Sequence, residues 1–241
     1  MEQNYNLHIK KYNITIPITA SPHISPEVFS LTLECRKFKD WVENLNAEEL
    51  VIRGIKILNV YMFKKLVGFV DLVLDSSLKS HPDKKLPGYV FLRGHSVGIL
   101  IIVNETYMLL TKQFRVPLGN YSLETPAGML DESGDFSGVA AKEIEEETSI
   151  KIKKEDLKEL DTFRPSIGGC DEEIMLFYTE ITLPEKEMEE LKKKLHGDSS
   201  EAILLKFEKF TINNILATKD SKLICACFMY QSKSGKQIPA F

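Results

Sequence analysis

The sequence predicts an α+β protein in which a mixed β-sheet lies between helices, preceded by a smaller β-rich domain. Three observations predict this class: several apolar runs of strand length, strand-like runs on both sides of one acidic helix, and a helical pattern near the C-terminus. A chain of 241 residues, 43% of them hydrophobic, can bury one large core or two smaller ones. We expect two domains, residues 1–88 and residues 89–241.

The N-terminal domain is predicted to be mainly strands. Residues 1–27 combine Pro and Ser with β-branched alternation and indicate strand and loop, whereas residues 36–45 predict a short helix. Residues 50–74 alternate in hydropathy and predict a β-meander with a turn at Lys64-Lys65. The polar segment 76–88 contains two prolines and marks the predicted domain boundary.

The second domain begins with three apolar runs, residues 89–94, 97–103 and 107–116, which are typical of buried strands. Further strands are predicted around Phe163 and at residues 174–181 and 202–207. A charged surface helix is expected at residues 184–197, between Pro184 and Gly197. Residues 212–233 predict one closing helix whose inner side carries Leu216, Leu223 and Cys227.

The overall composition is that of an ordinary soluble protein. The net charge of −4 gives no general attraction to nucleic acid or to an anionic membrane, so we expect neither as a partner. The N-terminus has no continuous apolar region typical of a signal peptide, and no run approaches membrane-spanning length. The four cysteines lack a paired CxxC arrangement, which indicates neither a zinc site nor a disulfide framework. A reduced, cytoplasmic protein is expected.

The segment Gly128–Ile150 carries the strongest functional signal. Its helical part places Glu143, Glu146 and Glu147 at positions i, i+3 and i+4, so the three carboxylates project from one face within one turn. Their mutual repulsion would be relieved by divalent cations, and Mg²⁺ prefers carboxylate oxygens together with substrate phosphates. The alternative is that the acidic run is only a solvated helix face.

The segment resembles the Nudix signature, Gly-x5-Glu-x7-Arg-Glu-U-x-Glu-Glu-x-Gly-U, in which U is a bulky aliphatic residue. The positions that match are Gly128, Glu143, Ile144, Glu146, Glu147 and Ile150. The positions that depart are Gly134 in place of Glu, Lys142 in place of Arg, and Ser149 in place of Gly. The resemblance implies that the chain is a Nudix hydrolase with an intact set of metal-facing glutamates.

The departures have a physical interpretation. In the family the signature Glu and Arg tend to pair and brace the loop against the helix, so losing both leaves no orphan charge. Asp131 or Glu132 could reach Lys142 instead. Ser149 puts a non-glycine residue at the position that ends the helix, which is tolerable but less favourable.

Flanking segments resemble the branch of the family that hydrolyses ADP-ribose and other nucleoside-diphosphate sugars. LETPAGMLD is similar to the branch's E-x-PAG-x-x-D loop, QFRVPLG to its Gln-x-Arg strand, and IGGCDEE to its P-G-G-x-x-E-E loop. DWVENLN and IKILNVYMFKKLVGFVDL resemble segments of ADP-sugar pyrophosphatases of plant type. The similarity therefore covers most of the chain after about residue 38. The resemblance implies a small antiparallel N-terminal β-domain that helps to build a homodimer.

The resemblance also implies a set of metal ligands and a base. Glu143, Glu146, Glu147 and the carbonyl of Ala127 would hold Mg²⁺, with Mn²⁺ as a substitute. The base is expected on the acidic loop HGDSSEAILLKF, which points first to Glu201 and second to Asp198. We therefore expect Glu146, Glu147 and Glu201 to be the catalytic residues.

The negative charge of the substrate requires arginine, and Arg115 is the best candidate. Arg93 and Arg164 are weaker candidates and could be surface pairs. Glu124 could orient the loop or contact substrate, and the alternative is an exposed strand glutamate. Glu172 and Glu173 could contribute to the metal site or contact ribose across a dimer, and the alternative, favoured for at least one of them, is a solvated turn.

These residues predict a Mg²⁺-dependent pyrophosphatase that cleaves a nucleoside-diphosphate sugar to a nucleoside monophosphate and a sugar phosphate. ADP-ribose or an ADP-hexose is the first expectation, followed by UDP- or GDP-sugars. The alternative is a catalytically weak Nudix-fold protein that binds a nucleotide or a partner, which the three departures favour. A purely structural acidic helix does not explain why the E-x-PAG loop accompanies the signature.

Overall fold

The computed structural model describes residues 3–130, 134–197 and 202–241. The chain forms two compact units, Met1–Gly94 together with Ser166–Glu172, and His95–Pro165 together with Glu173–Phe241. The break between Gly94 and His95 lies later than the predicted break after residue 88, because the strand Tyr89–Leu92 belongs to the sheet of the first unit. The loop Ser166–Glu172 joins the first unit although it comes from the middle of the second unit's sequence.

The first unit is built on a five-stranded sheet in the order β1-β2-β3-β4-β5. Its strands are β1 (Gln3–Ile9), β2 (Ile14–Ala20), β3 (Leu50–Phe63), β4 (Leu66–Leu78) and β5 (Tyr89–Leu92). All neighbours are antiparallel except β2 and β3, which run parallel. A parallel pair needs a crossover connection, and two helices, α1 (Pro26–Glu34) and α2 (Arg36–Glu43), provide it.

The predicted meander and the short predicted helix are confirmed in this unit. Strands β3 and β4 form a long hairpin, and Lys64 has the positive φ of 57° that its tight turn requires. Helix α2 covers most of the predicted 36–45 segment, whereas α1 was not predicted. Phe29 from α1 and Phe38 from α2 pack with buried residues of β3 and β4 to form one hydrophobic core.

The second unit contains a seven-stranded mixed sheet. Its strands are β6 (Ser96–Val103), β7 (Tyr107–Arg115), β8 (Asn120–Glu124), β9 (Ala127–Met129), β10 (Lys158–Phe163), β11 (Ile174–Ile181) and β12 (Leu204–Lys209). The main path is β10-β11-β6-β7-β12, with β8 paired to β7 and β9 paired to β6. Strands β11 and β6 are parallel, and the other pairs are antiparallel.

Helices cover both faces of this sheet. They are α3 (Phe136–Thr148), α4 (Glu185–Lys192), α5 (Ile212–Thr218) and α6 (Ser221–Ser234). Strand β6 shows the arrangement because its side chains alternate between faces. Ile99 and Ile101 pack in the cluster that contains α3, whereas Leu100 and Ile102 pack in the cluster that contains α6. The predicted fold, a mixed sheet between helices with an N-terminal β-domain, is confirmed.

Two helix predictions were wrong in detail. The closing helix is two helices, because Lys219 adopts a left-handed conformation and the side chain of Asp220 caps α6 by accepting the Lys222 amide. Leu216 consequently lies on α5 with 55% exposure, whereas Leu223 and Cys227 on α6 are buried as predicted. The charged helix α4 ends at Lys192, five residues before the predicted end at Gly197.

No helix in the described part of the chain is long and apolar enough to cross a membrane.

Candidate active site

Helix α3 begins and ends at well-defined caps. The side chain of Asp135 accepts a hydrogen bond of 3.1 Å from the Gly138 amide, which satisfies one of the unpaired amides of the first turn. The ammonium of Lys154 binds both oxygens of Asp135 at 2.7 and 2.8 Å. At the other end Ser149 adopts φ 61°, the left-handed conformation in which glycine commonly ends a helix, so the helix ends at the position that the sequence predicted.

Two of the three predicted metal ligands on α3 contact the short strand β9. Glu147 is only 5% exposed, and its Oε2 accepts a hydrogen bond of 3.1 Å from the amide of Ala127. The carboxylate of Glu143 lies against Gly128, where an added Cβ would come within 1.9 Å of Glu143 Cδ. Glycine is therefore required at position 128 for the Glu143 carboxylate to occupy its observed place.

The third predicted metal ligand, Glu146, faces solvent. Glu146 Oε1 lies 3.4 Å from Nζ of Lys142, one helical turn away, and both side chains are at least half exposed. Asp131 and Glu132, the partners considered for Lys142, lie outside the described residues, as do Glu201 and Asp198. Across the described residues no three acidic, histidine or cysteine side chains converge closely enough to form a ready metal site.

The donor atoms nonetheless fit a hard divalent cation. Glu143, Glu146 and Glu147 offer only carboxylate oxygens, the ligand type that Mg²⁺ and Mn²⁺ prefer. Gly128 leaves room for the Glu143 carboxylate beside the backbone of β9, and Glu147 lies beside Ala127. The arrangement is therefore suited to binding cations between the last turns of α3 and β9.

Glu124, at the end of β8, lies in a buried ionic cluster. Arg115 binds it in a two-pronged fashion, Nε to Oε1 at 2.7 Å and Nη2 to Oε2 at 2.9 Å, and Lys222 Nζ lies 3.2 Å from Oε2. Burial raises the pKa of this carboxyl, but the hydrogen bonds from Arg115 and the charge of Lys222 outweigh it and lower the pKa to about 2. Glu124 is 7% exposed, so the alternative of an exposed strand glutamate is wrong.

The loop between Glu124 and Gly128 is fixed by contacts along its length. Asp220 accepts the Thr125 amide at 2.9 Å and binds Lys222 Nζ at 2.9 Å. The carbonyl of Pro126 accepts the Ile99 amide at 2.9 Å. Sequence reasoning missed Asp220 and Lys222. The capping pattern at Asp220 predicts a helix start, but no local signal reports that Lys222 meets a glutamate 98 residues earlier.

Comparison with known proteins shows the family to which the chain belongs. The NUDIX domain matches residues 92–225, which is more than half of the chain and includes α3, β9 and the Glu124 loop. The chain belongs to the Nudix family. It is an enzyme of this family, a hydrolase that acts on pyrophosphate bonds.

Individual relatives support this assignment. The chain is 34% identical over 240 residues to "Nudix hydrolase 14, chloroplastic" of Arabidopsis thaliana, covering 91% of this chain and 77% of that protein. It is 32% identical to the "ADP-ribose pyrophosphatase" of Bacillus subtilis (strain 168), covering 45% of this chain and 54% of that protein. A solved structure titled "Crystal structure of ADP compounds hydrolase" aligns with a TM-score of 0.57 at 16% identity, covering 80% of this chain and all of that chain, and supports the fold.

The remaining candidate residues of this Nudix protein form two ion pairs. Arg93 and Glu172 belong to the first unit, where Arg93 Nε lies 3.0 Å from Glu172 Oε1 in an ion pair that lacks hydrogen-bond geometry. The guanidinium of Arg93 also lies 5.8 Å from the ring centre of Phe69. In the second unit Arg164 pairs with Glu173 at 2.8 Å. The substrate-binding roles of Arg93 and Glu172 stay predictions.

Proposed function

We propose that this Nudix hydrolase cleaves the diphosphate of a nucleoside-diphosphate sugar in a Mg²⁺-dependent reaction, with Mn²⁺ as a substitute. The products are a nucleoside monophosphate and a sugar phosphate. The observation that carries the proposal is that Glu143 and Glu147 contact the Ala127-Gly128 backbone, which follows closely in the chain after Glu124, the partner of Arg115. ADP-ribose or an ADP-hexose is the preferred substrate, ahead of UDP- and GDP-sugars, which agrees with the name of the Bacillus relative.

Glu143, Glu146, Glu147 and the carbonyl of Ala127 would hold the cations. When bound, such ions activate water and neutralise charge that develops on the diphosphate oxygens. The chain contributes the placement of these donors, because the amide of Ala127 orients Glu147 and the missing side chain of Gly128 admits Glu143. Lys142 neutralises part of the acidic charge on the exposed side of α3 through Glu146.

Arg115 is proposed to bind the anionic substrate. Its side chain is 40% exposed, so the outer part of the guanidinium can contact a phosphate while Glu124 fixes its orientation. Glu124 is held in turn by Lys222 and is too buried to leave the cluster without cost. In this proposal Glu124 orients Arg115 and the loop, and Arg115 makes the contact with the phosphate.

The proposal also includes a general base, which takes a proton from the attacking water, and a homodimeric assembly. Glu201 is the first candidate for the general base and Asp198 the second. A homodimer in the cytoplasm is proposed, with Arg93 and Glu172 of the first unit contributing to substrate binding. Contacts with a second subunit would help to choose the base and the sugar.

The second candidate is a catalytically weak Nudix protein that binds nucleotides. Gly134, Lys142 and Ser149 favour it because they depart from the family signature. The test is incubation of the protein with a panel of ADP-, UDP- and GDP-sugars in the presence of Mg²⁺ or Mn²⁺, followed by detection of nucleoside monophosphate. Turnover of an ADP-sugar supports the proposal, whereas nucleotide binding without turnover of any sugar nucleotide supports the second candidate.

A further inference from the structure

Ser149 occupies a strained position that the family signature gives to glycine. Its backbone has φ 61° and ψ 14°, a left-handed conformation that glycine adopts without steric cost and serine does not. The serine hydroxyl makes a contact that glycine could not make, because its Oγ lies 3.0 Å from Nδ1 of His196. His196 is 5% exposed, so this contact joins the end of α3 to a buried side chain.

The direction of the hydrogen bonds to His196 follows from its other nitrogen. Nε2 lies 2.9 Å from the carbonyl oxygen of Leu191, which can only accept, so Nε2 carries the proton. In the neutral ring Nδ1 is then the acceptor, and the Ser149 hydroxyl donates to it. The ring of His196 therefore connects the C-terminal end of α3 with the last turn of α4.

Backbone contacts of the same segment reach the turn that carries Glu146 and Glu147. The amide of Gly197 donates to the Glu146 carbonyl at 3.1 Å, and this carbonyl is one of the last four in the helix, which lack partners within it. His196 exchanges two backbone hydrogen bonds with Ile203, at 2.9 and 3.1 Å. Residues His196 and Gly197 are thus fixed on one side by Ile203 and fix the acidic turn of α3 on the other.

We propose that Ser149 and His196 are positioning residues for the metal-binding turn of α3. Their contact fixes the C-terminal end of α3. In this chain Gly134 and Lys142 replace the signature Glu and Arg, which in the family tend to pair and brace the loop against the helix. The inference rests on the proposed assignment of Glu146 and Glu147 as metal ligands. A histidine that only stabilises the fold would leave cation affinity unchanged when its contact with Ser149 is removed.

The test is direct Mn²⁺ binding, measured by electron paramagnetic resonance of the free ion without substrate, on full-length variants. Ser149→Gly relieves the backbone strain and removes the donor. Ser149→Asn keeps a donor on a residue that tolerates the left-handed conformation. Lys151→Gln is the control, because it removes an exposed ion pair to Glu145 in the same region without touching His196. Melting temperatures report on the fold independently.

We expect Ser149→Gly to raise the Mn²⁺ dissociation constant about 3- to 10-fold, the effect of one lost hydrogen bond, with a melting temperature close to that of the wild type. Ser149→Asn and Lys151→Gln should bind Mn²⁺ like the wild type. Wild-type affinity in Ser149→Gly, or an equal loss in Ser149→Asn, overturns the inference. A wild-type protein that binds no Mn²⁺ overturns both this inference and the metal site, whereas Mn²⁺ binding without ADP-ribose turnover refutes only the proposed substrate.

Discussion

Two acidic groups border the same short loop and differ in how their charge is balanced. Glu124 lies in a cluster of two carboxylates and two cations, with Asp220 as the second acid and Arg115 and Lys222 as the bases. Residues 142–147 of α3, in contrast, contain four glutamates and one lysine. The charges of the first group balance one another within the folded chain. The second group carries an excess of negative charge that divalent cations can neutralise. The difference separates a group that holds the loop in place from a group that is proposed to bind cations.

The largest expected effect comes from the acidic turn of α3. Glu147→Gln keeps the shape of the side chain but removes its charge, so we expect turnover of the preferred sugar nucleotide to fall more than about 100-fold. Glutamine retains an oxygen for the Ala127 amide, and circular dichroism should therefore show an intact fold. Normal activity in this variant would refute the metal site.

The next effect concerns stability. Lys222→Met removes one cation from the buried cluster, and we expect the free energy of unfolding to fall by about 3 kcal/mol because Glu124 and Asp220 lose a shared partner. Urea denaturation measures this change. The control is Lys236→Met, which breaks an exposed pair with Glu180 and should change stability much less. Equal effects of the two substitutions would show that the cluster does not hold the fold.

The same cluster predicts a pH dependence. The pKa of Glu124 is about 2 in the folded protein against an ordinary value of 4.5, so its stabilising contribution is present above pH 4.5 and is lost as the pH falls towards 2. This contribution corresponds to about 3 kcal/mol. In Glu124→Gln that part of the acid destabilisation should be absent. Unfolding curves at pH 5 and pH 3 test this, and equal losses in wild type and variant would contradict the assigned pKa.

The smallest effect is expected at the altered signature position. Lys142→Ala removes an exposed ion pair with Glu146, one helical turn away, so the loss of stability should be no more than about 0.5 kcal/mol. Activity should fall far less than in Glu147→Gln. Steady-state kinetics of the two variants side by side measure the difference, and a comparable loss in both would mean that Lys142 takes part in the reaction.

Local patterns in the sequence were sufficient for the acidic helix and for most strands. The spacing of Glu143, Glu146 and Glu147 is a property of one continuous segment, and the structure has it on α3, whereas Gly128, where a turn was expected, lies in strand β9. The break between α5 and α6 was missed because the capping preference of Asp220 outweighed the helical period around it.

Contacts between distant residues could not be predicted in this way. Ser149 meets His196 across 47 residues of sequence, and Lys222 meets Glu124 across 98. The loop Ser166–Glu172 belongs to the first unit because Phe91 hydrogen-bonds to Gly169, which no periodicity reveals. The sequence therefore did not predict the distant contacts that hold the proposed site residues in place.

The most direct test of the central claim is hydrolysis of ADP-ribose with Mg²⁺ in ¹⁸O-labelled water, followed by mass spectrometry of the products. Attack of water at phosphorus predicts AMP and ribose 5-phosphate, with the label on a phosphate oxygen of one of them. Label on a sugar hydroxyl with release of ADP would contradict diphosphate cleavage. No turnover of ADP-ribose or any other sugar nucleotide would contradict the proposed action on nucleoside-diphosphate sugars.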